Sequence, residues 1–110
     1  MDIRSAGEKG MGAFAAESIS AGSWVGPYIG EILSKQQVNE RYGSGLNADY
    51  LFKLDDELCI DAQNSTHFSR FFNHAQYGNL DVVVDDEEQT IVFFAERDIE
   101  AGEELTFDVR

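Results

Sequence analysis

The sequence predicts a mainly β domain of several small curved sheets with one short helix. Three observations carry that reading. Runs of β-forming or alternating apolar residues are short, at 24–29, 50–54, 58–60, 80–84, 90–95 and 105–109. Turn residues interrupt them about every 8 to 12 positions. One stretch, Lys35 to Arg41, follows a helix-start signal, with Ser34 and Gln37 at capping-box spacing.

A chain of 110 residues suffices for one domain, 1–110, with a single core. An apolar fraction of 43 % and 12 % aromatics fit a folded protein rather than a disordered one. No apolar run approaches the roughly 18 residues of a membrane span, and the start, Met1 to Ser5, lacks a signal peptide's apolar core. A soluble intracellular protein without a membrane partner is therefore expected. Cys59 is the single cysteine, which excludes an internal disulfide and a cysteine-held zinc cluster. Between Leu58 and Ile60 it reads as a buried small hydrophobe rather than a reactive thiol. Net charge is −13, which argues against direct nucleic-acid binding, because phosphate contacts need clustered Lys and Arg. Acidic runs at 55–57, 85–88 and 103–104 are either solvated loops or a field that attracts a basic partner.

In chain order, Gly7, Gly10 and Gly12 permit tight turns and close approach of a ligand to the backbone. The segment lacks the third glycine and the strand-to-helix setting of a dinucleotide fingerprint. Ile19 to Ser23 turns into the run Trp24 to Ile29, where Pro27 predicts an edge or short strand. Gly30 to Leu33 continues extended, and Gly43-Ser44-Gly45 ends the helix in a loop. Tyr50, Phe52 and Leu54 alternate as a strand, Asp55-Asp56 turns the chain, and Leu58 to Ile60 returns as its partner. Asn64 or Ser65 would cap a short helical turn through Phe68. Leu80 to Val84 and Thr90 to Ala95 flank an acidic turn as a hairpin, and Leu105 to Val109 is the last strand. Phe68, Phe71, Phe72, Phe93 and Phe94 are core candidates, and His67 reads as a surface or capping residue.

Ser69 to Leu80 stands apart, because two adjacent phenylalanines anchor a run of hydrogen-bonding groups: Arg70, Asn73, His74, Gln76 and Asn79. An irregular segment with its own apolar anchors is a common place for binding chemistry. Taken alone, Asn73 and His74 serve either a turn or a ligand, and Arg70 is expected to pair with a carboxylate.

These blocks, in order, resemble the SET domain of protein lysine methyltransferases. The resemblance rests on Gly10-Met11-Gly12, Tyr28-Ile29-Gly30-Glu31, Tyr50-Leu51-Phe52, Asp61-Ala62, Arg70-Phe71-Phe72-Asn73-His74 and Gly102 to Asp108. It covers nearly the whole chain and is nearest the histone-directed branch, without pre-SET or post-SET zinc cysteines. It implies a fold whose C-terminal segment passes through a loop as a pseudoknot. It also implies S-adenosylmethionine as cofactor and a substrate lysine entering a narrow channel from the opposite face. By the same resemblance, Lys9, Gly10, Met11, Gly12, Arg70, Phe71, Asn73 and His74 would bind the cofactor, with Asn73 on its methionine end and the His74 backbone on its adenine. Tyr28 and Tyr50 would line the lysine channel, and Phe107 would help set how many methyl groups are added.

The chemistry agrees with those residue types. Methyl transfer from a sulfonium needs a neutral amine, whereas lysine is protonated at pH 7. A narrow apolar channel lowers that pKa by desolvation and holds the amine near attack distance. Aromatic walls accommodate the cationic sulfonium and the methylated ammonium product. No metal is required. The family pattern ends Phe-Asp-Tyr, and that tyrosine orients the amine; here the position is Val109. The family's His-Ser-Cys-x-Pro-Asn becomes His74-Ala75-Gln76-Tyr77-Gly78-Asn79, and the chain stops at Arg110. Channel closure is thus expected from elsewhere, a missing extension or a homodimer partner. The leading expectation is methylation of a lysine on a basic protein, a histone tail, which would place the protein at chromatin in the nucleus. A second reading, favoured by Val109, is a catalytically inactive module that binds cofactor or peptide.

Overall fold

The computed structural model describes residues 1–43, 50–85 and 87–108. Ten short strands and one α-helix lie among them: β1 (Asp2–Ser5), β2 (Met11–Phe14), β3 (Trp24–Pro27), β4 (Glu31–Ser34), α1 (Lys35–Tyr42), β5 (Leu51–Lys53), β6 (Leu58–Asp61), β7 (Asn73–His74), β8 (Leu80–Asp85), β9 (Thr90–Ala95) and β10 (Thr106–Phe107). Two 3-10 turns, Gly7–Lys9 and Phe68–Phe71, join them. The strands form three sheets, ordered β1-β2, β4-β6-β5 and β3-β9-β8-β10-β7.

Period-two alternation explains the central sheet. Ile91, Phe93 and Ala95 of β9 are buried, as is Leu80, which pairs with Ala95. Phe94 falls on the opposite face beside exposed Trp24, so it is half-buried and lies outside the core, against the sequence expectation. Pro27 sits on β3 at the sheet edge, where a missing N–H breaks no ladder. The core is dominated by aromatics: Phe93 contacts Phe72 at 5.0 Å, Phe107 at 5.4 Å and Tyr28 at 6.2 Å between ring centroids.

Helix α1 buries none of its side chains, so its ends and its polar contacts must hold it. Ser34 and Gln37 form the predicted capping box. Arg41 reaches back to Glu31 and Asp61, both at 3.0 Å, tying the helix to the sheet of β4 and β6.

The C-terminal segment enters between two earlier strands. β10 lies parallel to both β7 and β8, with Phe107 opposite His74 on one side and Leu80 on the other. The connection from β7 to β8 therefore straddles β10, the threading that the pseudoknot requires. Gly78 allows this, because a Cβ there would lie 2.7 Å from both Phe107 Cα and the Thr106 carbonyl oxygen. Buried Asn79 clamps the inserted strand: its Nδ2 donates to the Glu104 carbonyl at 2.8 Å and its Oδ1 accepts from Thr106 N–H at 2.9 Å.

Some sequence expectations are corrected. The β1–β2 hairpin was not foreseen, since Ile3 and Arg4 offer little apolar pattern and both strands are short. The turn over Phe68–Phe71 is capped by His67, whose Nδ1 accepts from Ser69 N–H at 3.2 Å, and not by Asn64 or Ser65. Strand β10 is only Thr106–Phe107. Ser44, Gly45, Asp86 and Val109, which figured in the predicted loop, turn and last strand, lie outside the described residues.

Candidate functional site

The insertion of β10 brings the Asn73-His74 block and the terminal block together beside the core aromatics. The result is a cavity of about 620 Å³ whose lining includes Tyr28, Tyr50, Phe52, Arg70, Phe72, Asn73, His74 and Phe107. Phe107 packs on Phe52 at 5.5 Å, and Tyr28 on Phe52 at 5.4 Å. These aromatic walls belong to the buried core, so the cavity's apolar side is rigid.

Tyr28 is buried, and its hydroxyl donates to the Tyr50 carbonyl at 2.7 Å. Burial, reinforced by the charge of Asp61, raises its pKa well above the phenol range, so the hydroxyl stays protonated. With its proton committed to Tyr50, the oxygen can act toward any other partner only as an acceptor. Arg70 does not pair with a carboxylate among the described residues. Its Nη1 donates to the Ser65 carbonyl at 3.2 Å, and its guanidinium lies 4.4 Å over the Tyr50 ring. Its Nε is buried without a hydrogen-bond partner among the described residues. A planar delocalised cation tolerates such a setting better than an ammonium.

Asn73 joins this cavity to the glycine-rich segment. Its Nδ2 donates to the Met11 carbonyl at 3.0 Å and to Glu104 Oε2 at 2.8 Å. Gly12 makes room for that meeting: a Cβ there would lie 2.7 Å from Glu104 Oε2 and 3.1 Å from Asn73 Nδ2. His74 Nε2 stands 3.8 Å from Asp108 Oδ1, and the Ala75 N–H donates to the Phe107 carbonyl at 2.9 Å.

Of the predicted site residues, Tyr28, Tyr50, Phe107, Arg70, Asn73 and His74 line this cavity, and Met11 and Gly12 meet it through Asn73. Lys9 and Gly10 stand just before Met11, at the end of the first 3-10 turn. Phe71 turns instead to a second cavity of about 780 Å³, shared with Ile3, Ile29, Phe68 and the polar residues 64–67. Sequence reasoning gave no role to Glu104, although it lies in the block Gly102 to Asp108, and counted Asn79 only among the hydrogen-bonding groups of the segment Ser69 to Leu80. Their signal was spatial, since Glu104 and Asn73 are 31 residues apart.

The fold and this cavity define a SET domain, and the chain belongs to the SET domain family, whose model matches residues 10–108. It is 37 % identical over 105 residues to histone-lysine N-methyltransferase set1 of Dictyostelium discoideum and 40 % identical over 105 residues to histone-lysine N-methyltransferase MEDEA of Arabidopsis thaliana. Each alignment covers 90 % of this chain, which spans only 7 % and 15 % of those relatives. Among solved structures, a chain from ctPRC2 in complex with H3K27me3 and H3K27M superposes with a TM-score of 0.83 and 36 % identity, covering 96 % of this chain and 14 % of that one.

Proposed function

We propose that this SET domain transfers a methyl group from S-adenosylmethionine to a lysine ε-amine on a basic protein, a histone tail. The observation that carries the reading is the single cavity in which Tyr28, Tyr50 and Phe107 meet Asn73, His74 and Arg70. Relatives named as histone-lysine methyltransferases support the activity and the substrate class. A histone substrate would place the protein at chromatin; no helix among the described residues is long and apolar enough to cross a membrane.

The residues present fit the cofactor. Asn73 supplies an acceptor beside an aromatic wall suited to a sulfonium. Asn73, the His74 backbone and the Lys9 to Gly12 segment would hold it, with Arg70 in support, whereas Phe71 faces the second cavity. When bound, S-adenosylmethionine supplies the electrophilic methyl group. The chain's own residues desolvate and align the acceptor. Burial among Tyr28, Tyr50 and Phe107 favours the neutral amine, and the Tyr28 oxygen accepts an amine N–H.

A rival reading rests on Val109, which stands where the family carries a tyrosine hydroxyl. In that reading the chain binds cofactor or peptide without transfer. Radiolabelled methyl transfer to a histone mixture separates the two. The expected outcome is transfer by the wild-type chain, reduced at least about tenfold by Asn73→Ala through loss of a ligand hydrogen bond. A silent wild type beside an active Val109→Tyr variant would establish the binding-module reading. A second copy of the chain closing the lysine channel would appear as a dimer in sedimentation.

A further inference from the structure

The Asn73 amide has one orientation compatible with its neighbours. Both groups within reach of its nitrogen, the Met11 carbonyl at 3.0 Å and Glu104 Oε2 at 2.8 Å, accept hydrogen bonds. A carbonyl has no proton to give, and an ionised carboxylate has none either, so the nitrogen and not the oxygen must face them. Both amide hydrogens are then spent. The Oδ1 takes no hydrogen bond from a described residue, and Asn73 lines the cavity.

We propose that Glu104 is a positioning residue: it locks the Asn73 amide so that Oδ1 is presented to the ammonium of the cofactor's amino-acid end. This rests on the cofactor reading above. Glu104 can do so because its backbone is pinned. Residue 104 forms an antiparallel bridge with Phe14, Leu105 N–H donates to the Ala13 carbonyl at 2.8 Å, and Ala15 N–H to the Glu103 carbonyl at 2.9 Å. These bonds fix the carboxylate opposite Gly12, where the absent side chain leaves a passage to Asn73. Glycine at 12 thus serves the protein's own carboxylate. Without Glu104 the amide keeps only the Met11 carbonyl as a guide, and rotation would present N–H groups to an ammonium, which cannot accept them.

The test is calorimetric binding of two probes to the full chain: S-adenosylmethionine, and 5′-methylthioadenosine, which keeps the adenosine and sulfur but lacks the amino-acid end. Glu104→Ala is expected to bind S-adenosylmethionine about tenfold more weakly, the scale of a hydrogen bond to a charged group, and to bind methylthioadenosine as the wild type does. Glu104→Gln keeps an acceptor and is expected to restore most of the lost affinity. An equal loss on both probes, or a Gln variant as weak as the Ala variant, would overturn the proposal. Wild-type chain that binds neither probe would instead remove the cofactor reading, and this inference with it. Should Glu104→Ala fail to fold, side-chain amide NMR of the unliganded wild type decides. Two Asn73 side-chain amide protons protected from solvent exchange are expected, and fast exchange of the proton assigned to the Glu104 bond would refute the lock.

Discussion

At the scale of single residues, Tyr28 shows how one hydroxyl divides its functions. Its proton goes to the Tyr50 carbonyl, which also accepts from Ala62 N–H at 3.1 Å. Tyr28→Phe therefore leaves that carbonyl satisfied and should cost only about 1 kcal/mol in urea unfolding. Under the proposed function the same change removes the acceptor for the substrate amine, so methyl transfer should fall about a hundredfold, a general estimate for losing one well-placed polar contact at a reacting centre. Because burial keeps the phenol protonated, the wild-type rate should rise with pH as the amine loses its proton, with no fall at the ordinary phenol value of 10.0. An early fall in the pH–rate profile would show that Tyr28 ionises.

At the scale of elements, two polar clusters replace apolar burial, and each leaves its mark on acid stability. Asp61 is almost fully buried, which by itself would raise its pKa. Hydrogen bonds from the Tyr42 hydroxyl, the Gln63 N–H and Arg41 outweigh burial and hold the carboxyl below its ordinary 3.8. Its contribution to stability is full above that value and is lost as pH falls through the lowered one. His67 is shifted down from 6.5 by burial, and its Nδ1 accepts from Ser69 N–H. The unfolded chain therefore takes up the proton first, and stability begins to fall below 6.5. Denaturant titration from about pH 8 to about pH 2 should show two separate losses, the upper removed by His67→Gln and the lower by Asp61→Asn. Much at this scale was legible in the sequence. The α1 capping box and the β8–β9 hairpin follow from local spacing. The β1–β2 hairpin did not, because strands of four residues draw their stability from partners distant in the chain, and the meeting of β7 with β10 was legible only through the resemblance.

At the scale of the whole molecule, charge governs encounter. The net charge of −13 should draw a Lys/Arg-rich tail toward the cavity and be screened by salt. Raising ionic strength from about 50 to 300 mM should raise the KM for a basic peptide several-fold with little change in kcat. A salt-independent KM would separate the acidic runs from substrate capture. The site was legible to the extent that its residues fall in named blocks. Tyr28, Asn73 and Phe107 could be chosen from the sequence through the resemblance, but the bond from Asn73 to Glu104 depends on β10 crossing a loop.

That crossing also dictates an order of events during folding. β7 and β8 leave the ribosome well before β10, yet the slot between them must stay open until residues 106 and 107 arrive. Long-range closure of this kind is slow, because chain entropy is lost before the contacts that repay it can form. Because Phe107 both completes the aromatic core and lines the cavity, the site is complete only when β10 is seated.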